Sequence, residues 1–356
     1  MTHPPAWLTG RPADATTAPS GLRRGAWALA LISLPMLALA SLLLGGGDYS
    51  ALDSLGGLLG LAPAEHREAL HTVLLTLRLP RTLAALLVGS ALGVAGMLMQ
   101  TVTRNHLAEP GLLGINAGAA LGVVIGMVWM DASSGVALLG WAGLGALAGN
   151  VCVMMAAHNK GRISSPLRLV LAGAALGATF HGLTSAILLS HQAGYDQYRF
   201  WLLGSLSGIR LDTVLQCAPL VILALMAALL LTRPLSALRL GDDLARGLGH
   251  RPGRLRLLIA VTVTALAGSA VALAGPIAFL GLLAPFLGRK LASNALSQQL
   301  LTSAWLGASL LLLADIGARL VIRPFETPAS VMTALLGAPL LIWLARQAPS
   351  QPKGAA

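Results

Sequence analysis

Apolar stretches of roughly 20 residues, the length that spans a ~30 Å hydrocarbon core, recur along almost the whole chain. In lipid the backbone polar groups must be satisfied within the segment, so runs of this kind fold as helices. Of the 356 residues, 56% are hydrophobic and only 10% charged, against about 25% charged in soluble domains. The sequence predicts an all-α polytopic membrane protein with about ten transmembrane helices. It excludes an ordinary soluble globule and leaves no room for a second soluble domain.

Apolar runs read against polar punctuation place the spans near 25–45, 82–102, 111–130, 135–157, 167–190, 213–232, 256–274, 277–293, 300–321 and 329–345. The run Leu255–Leu287 is too long for one span and is divided at Gly275 and Pro276. With the amino end inside, alternating loops put 17 of the 24 basic residues on the cytoplasmic side, as the positive-inside rule requires. Both termini are therefore expected in the cytoplasm: residues 1–24 as a tail, 25–346 as a single membrane domain, and 347–356 as a second tail. The net charge of +11 reports orientation and does not point to nucleic acid.

Small residues recur at four-residue spacing: Gly114, Gly118, Gly122 and Gly126, then Gly89 with Gly93 and Gly145 with Gly149. Such stripes let helix backbones approach closely and are read as packing. Cys152 and Cys217 lie in apolar segments without metal or redox spacing and are read as buried apolar residues.

No GxxxxGK[ST] phosphate loop, HExxH or GxSxG occurs, so neither an ATPase nor a membrane hydrolase is indicated, and no catalytic or metal-binding residues are assigned. Asp315 is the only acid near a span midplane. It pairs with Arg319 one turn on or serves an ion relay. Four polar features remain. LRLPRT (77–82) carries arginines that either snorkel or bind a partner. TRNHLAEPGLLGINAGA (103–119) breaks the helical pattern on the inner side. LGDDLARGLG (240–249), in the basic loop 233–256, reads as a short amphipathic helix with Asp242 and Asp243 at its amino end. YDQYRFWLLGSLSG (195–208) is an aromatic interface belt or a docking segment.

These features, in this order, resemble the permease subunits of ABC importers for iron siderophores and vitamin B12. The same likeness is carried by RLPRTLAALLVGSALGVAGMLMQ, LAGAALG (171–177), LAGPIAFLGLLAP (273–285), LLLLADIGARL (310–320) and ALLGAP (334–339). YDQYRFW with TRNHLAEPGLLGINAGA looks most like the ferric enterobactin (catecholate) branch. The resemblance implies the type II importer permease fold in the bacterial inner membrane. It also implies a second permease subunit, favouring a paralogue, with two ATPase subunits below and a periplasmic siderophore-binding protein above. The chain itself would bind no cofactor, ATP and Mg being held by the ATPase.

By the same resemblance, Arg78, Arg81 and Arg319 receive glutamates of the binding protein. Gly241, Asp242, Asp243, Ala245 and Gly249 couple to the ATPase, and Asn105 and Leu107, with Ser164 and Ser165, form the cytoplasmic gate. Three positions depart from the family pattern: His106 replaces a Pro, Phe286 a His and Ser330 a Gly. The competing readings are an ion-coupled secondary transporter acting alone, an assembly subunit, and a permease of the same family carrying cobalamin or a haem-like ligand.

Overall fold

The computed structural model describes residues 20–45, 50–61, 64–132, 134–159, 162–163, 166–191, 193–321 and 326–347. Among them the chain crosses the bundle ten times. The crossings are α1 (Ser20–Leu43), α4 (Leu79–Thr103), α5 (Ile115–Trp129), α6 (Gly135–Ala157), α7 (Pro166–Ser190), α9 (Leu211–Leu230), α12 (Pro252–Ala274), α13 (Leu280–Leu291), α14 (Leu296–Leu320) and α15 (Ala329–Gln347). Each expected span has its helix. Six helices are long and apolar enough to cross a membrane, counting the continuous helix Arg67–Thr103 that contains α4, and three shorter apolar helices accompany them.

The eighth crossing is different in kind. α13 has 12 residues, or about 18 Å of helix, because the chain is not helical from Gly275 to Phe279 before it starts. Phe279 itself adopts a left-handed conformation (φ 66°), uncommon for an aromatic residue. The expected split at Gly275 is thus a break of several residues, and α13 begins deep in the bundle beside Pro110 and Gly96.

Shorter helices lie outside the crossings. α2 (Ala51–Leu58) and α3 (Ala64–Thr72) follow α1, and a π-helical stretch, Val73–Arg78, carries α3 directly into α4. α8 (Ala193–Leu202) joins α7 to α9, while α10 (Thr232–Leu240) and α11 (Asp242–Gly247) join α9 to α12. A 3-10 turn, Pro110–Leu113, precedes α5. His158–Asn159 and Arg162–Ile163 make a two-residue antiparallel pair, β1 and β2.

The glycine stripes explain the packing. A methyl group on Gly118 or Gly122 would overlap the backbone of α6 at Gly145 and Trp141, and one on Gly145 or Gly149 would overlap α5. Gly89, Gly93 and Gly96 hold α4 in the same way against Gly307 and Ser303 of α14 and Gly281 of α13. α4 and α12 are the most deeply buried of the long spans, 78% of the apolar stretch of each lying inside the bundle, against 11% for α7. Asn150 of α6, buried at midspan, is satisfied by Thr264 of α12, as a polar group there must be.

Candidate functional site

Polar chemistry gathers at the two ends of the bundle. At the α2–α3 end, the last turn of α1 carries no basic residue, so its terminal carbonyls need donors from elsewhere. Arg78 Nη1 donates to the Leu42 and Leu43 carbonyls at 2.9 and 2.8 Å and to Ser54 Oγ of α2 at 2.8 Å. Arg319 Nη1 donates to the carbonyls of Ser41 (2.8 Å) and Leu44 (3.1 Å), and its Nη2 to Ser41 Oγ (2.8 Å). Two guanidiniums thus cap one helix, where its dipole favours cations.

Asp315 joins them. It is fully buried, accepts from Arg81 Nε at 2.7 Å and from Arg319 Nε at 3.0 Å, and pairs with Arg319 Nη2 as well. With both oxygens held by guanidiniums, it is a fixed counter-ion. Arg81 Nη1 also meets Glu326 Oε2 at 2.7 Å. Arg78, Arg81 and Arg319 are only 5, 7 and 2% exposed. All three guanidiniums, expected to receive a partner's glutamates, are engaged within the chain, with Arg81 keeping an exposed carboxylate, Glu326, as one of its partners. Their partners are side chains and helix carbonyls, not the membrane surface that snorkelling would seek.

At the opposite end, Gly241 (φ 128°) separates α10 from α11. The expected short helix is present, with Asp242 and Asp243 in its first turn and Ala245 fully buried as its anchor. Asp242 pairs with Arg256 of α12 at 2.8 Å, and Asp243 with Arg246 at 2.6 Å. Gly249 (φ 83°) ends the helix: its N–H donates to the Arg246 carbonyl and that of His250 to the Ala245 carbonyl, each at 2.9 Å. The left-handed position is one that glycine fills without strain. Leu240, Leu244 and Leu248 are 68, 58 and 63% exposed.

Between the loop and the bundle core lies the break after α4. Arg104 (φ 53°) ends that helix, and its Nη2 donates to the Leu238 carbonyl of α10 at 2.9 Å. Asn105 Oδ1 accepts from Leu107 N–H at 2.9 Å, an Asx turn that leaves the Leu107 side chain exposed. Burial, with the charges of Arg289 and Arg239, holds His106 below the ordinary imidazole value. Ser164 and Ser165 lie outside the described residues.

A family model, the FecCD transport family, matches residues 32–347. The chain belongs to the FecCD transport family. It is 46% identical over 276 residues to the ferric enterobactin transport system permease protein FepD of Escherichia coli, covering 78% of this chain and 82% of that one. It is 38% identical over 307 residues to the Fe(3+)-citrate import system permease protein YfmD of Bacillus subtilis, covering 86% and 90%. A metal-chelate-type ABC transporter solved in an inward-facing conformation superimposes with a TM-score of 0.77 at 28% identity, covering 92% of this chain and 99% of that one. The protein is a multi-pass permease subunit of an iron-siderophore ABC importer. Its relatives carry different chelates at comparable identity, so the catecholate branch is not singled out.

In this FecCD permease two departures from the family pattern acquire partners. Phe286 lies under the Lys290 ammonium, 4.6 Å from its ring centroid. Ser330 ties the start of α15 to the segment after α8, its N–H donating to the Gly204 carbonyl at 3.2 Å and its hydroxyl to that of Leu203. Within YDQYRFW, Tyr198 and Trp201 stack at 6.2 Å, with Tyr198 buried against α5 and α7. Tyr195 and Phe200 stay exposed.

Glu326 and Glu109 were not singled out by sequence. Glu326 reaches Arg81 across 245 positions. Burial pushes its carboxyl up, but the Arg81 hydrogen bond and charge, the Ser207 hydroxyl and the Arg319 charge together hold it below the ordinary range. Burial pushes the Glu109 carboxyl above its ordinary range, against the opposing pull of the Phe279 backbone. The local signal for both was an acid within two residues of a proline.

Proposed function

We propose that the subunit works as the membrane half of an ATP-driven importer of an anionic ferric chelate, of the catecholate type. Two ATPase subunits lie at the α10–α11 end, a second, paralogous permease lies alongside, and a periplasmic binding protein delivers at the α2–α3 end. The basic α10–α11 end then faces the cytoplasm, with both termini. The observation that carries this reading is α11: a helix anchored by one buried alanine, braced by Arg256, closed by a left-handed glycine and flanked by exposed leucines. Exposed leucines on a short helix outside the bilayer mark a partner surface.

Gly241, Asp242, Asp243, Ala245 and Gly249 would hold that helix in shape while the ATPase moves it. The Arg104 bond to Leu238 would pass the movement to the gate at Asn105 and Leu107, with Ser164 and Ser165 on the facing loop. Of the three arginines assigned to docking, Arg81 alone would bind the delivered protein, while Arg78 and Arg319 hold α1.

The test is reconstitution in proteoliposomes with the partner permease, ATPase and binding protein. Uptake of radio-iron as its chelate should require ATP and should be lost in Leu244→Glu with Leu248→Glu. Uptake driven by a proton or sodium gradient without the ATPase would overturn the reading.

A further inference from the structure

Among the described residues, this cluster sets three guanidiniums, Arg78, Arg81 and Arg319, against two carboxylates, Asp315 and Glu326. The three are not served equally. Arg319 spends Nε, Nη1 and Nη2 on Asp315, Ser41 and Leu44. Arg78 is committed to α1 and α2 through Leu42, Leu43 and Ser54. Arg81 differs, because its Nη2 is buried with no hydrogen-bond partner.

The two acids differ as well. Asp315 is wholly buried between two guanidiniums, whereas the Glu326 side chain is 34% exposed and meets Arg81 through Nη1 alone. Glu326 therefore covers Arg81 on its solvent side. It also lines a cavity of about 590 Å³ together with Ser205, Ser207, Arg210 and Trp201. Nη2 lies beside Nη1 on the guanidinium, so a carboxylate arriving end-on would make the bidentate pair that Glu326 makes by half. Bidentate, charge-assisted pairs are the stronger ones, and a buried donor without a partner favours any ligand that satisfies it.

We infer that Glu326 is a resident stand-in for an incoming carboxylate. It occupies Arg81 while the outer face is empty, and an acidic side chain of the delivering protein displaces it. Displacement frees Glu326 to water, so the carboxylate and the cavity it lines change only when a partner is seated. The inference rests on the docking reading of Arg81 given above and adds the internal competitor and its release.

The experiment measures the affinity of the importer's chelate-loaded binding protein for the complete importer in nanodiscs. Wild type is compared with Glu326→Gln, Arg81→Gln and the double variant. Removing a competing charge should tighten binding in Glu326→Gln, on the order of five-fold. Arg81→Gln should weaken it, and the double variant should match Arg81→Gln. Should Arg81→Gln fail to fold, Arg81→Lys keeps the charge beside Asp315 and loses the fork. Unchanged or weaker binding in Glu326→Gln, with weakened binding in the Arg81 variant, would overturn the stand-in and leave docking intact. Unchanged binding in the Arg81 variant would overturn both.

Discussion

Asp315 and Asp243 each sit within four residues of an arginine partner, yet they live in opposite surroundings. The Asp315 side chain is fully buried and shared by two guanidiniums from two helices, whereas that of Asp243 is 97% exposed and held by its own helix. The first joins α4 to α14 and, through Arg319, to the end of α1. The second can be broken without disturbing anything beyond α11. Charge at the α2–α3 end is thus architecture, and charge at the α10–α11 end belongs to a replaceable attachment.

The largest effect that separates the two ends is expected at Asp315. Asp315→Asn leaves two guanidiniums buried with one neutral partner, and breaking a buried pair in this way costs about 3–5 kcal/mol. Asp243→Asn should cost no more than about 0.5 kcal/mol, since exposed pairs contribute little. Thermal unfolding in detergent measures both, and equal losses would erase the distinction.

Next in size is Gly96→Val. Its side chain would overlap the Gly281 backbone, so overpacking should cost about 1–3 kcal/mol. A variant that melts like the wild type would show that α13 does not start against α4.

The smallest effect is a pH dependence with a different window at each end. Glu326 is held below its ordinary value of 4.5 in the folded protein. The stability it contributes is therefore full above that pH and is lost as pH falls through the lower, folded value. His106 is likewise held below 6.5, so its neutral form is favoured and its contribution fades as pH drops below 6.5. Melting curves should show the step that begins near pH 6.5 vanish in His106→Asn and the more acidic step shrink in Glu326→Gln. The reverse assignment would contradict the geometry at both ends.

The parts of this structure that sequence reveals are the local ones. Every crossing was legible because a span must be apolar over its whole length, and the Asp315–Arg319 pair because it is one helical turn. α11 was legible from Asp242 and Asp243 at its start and Gly249 at its end. α2, α3 and α8 were hidden because helices of 8, 9 and 10 residues fall below a span-length window. The inward turn of Arg78 and Arg81 was hidden for another reason. Nothing near them in sequence announces that α1 ends without a basic residue of its own and must borrow donors from the stretch before α4 and from α14. Glu326 escaped likewise, its partner lying in α4.

The central claim is that α11 couples ATP hydrolysis to a bundle that folds without it. Ligand-stimulated ATP hydrolysis by the reconstituted importer carrying Asp243→Lys with Gly249→Pro tests this most directly when read beside the melting temperature of the same complex. The account predicts that stimulation is lost while melting stays within a few degrees of wild type. Stimulation retained at the wild-type level would contradict it.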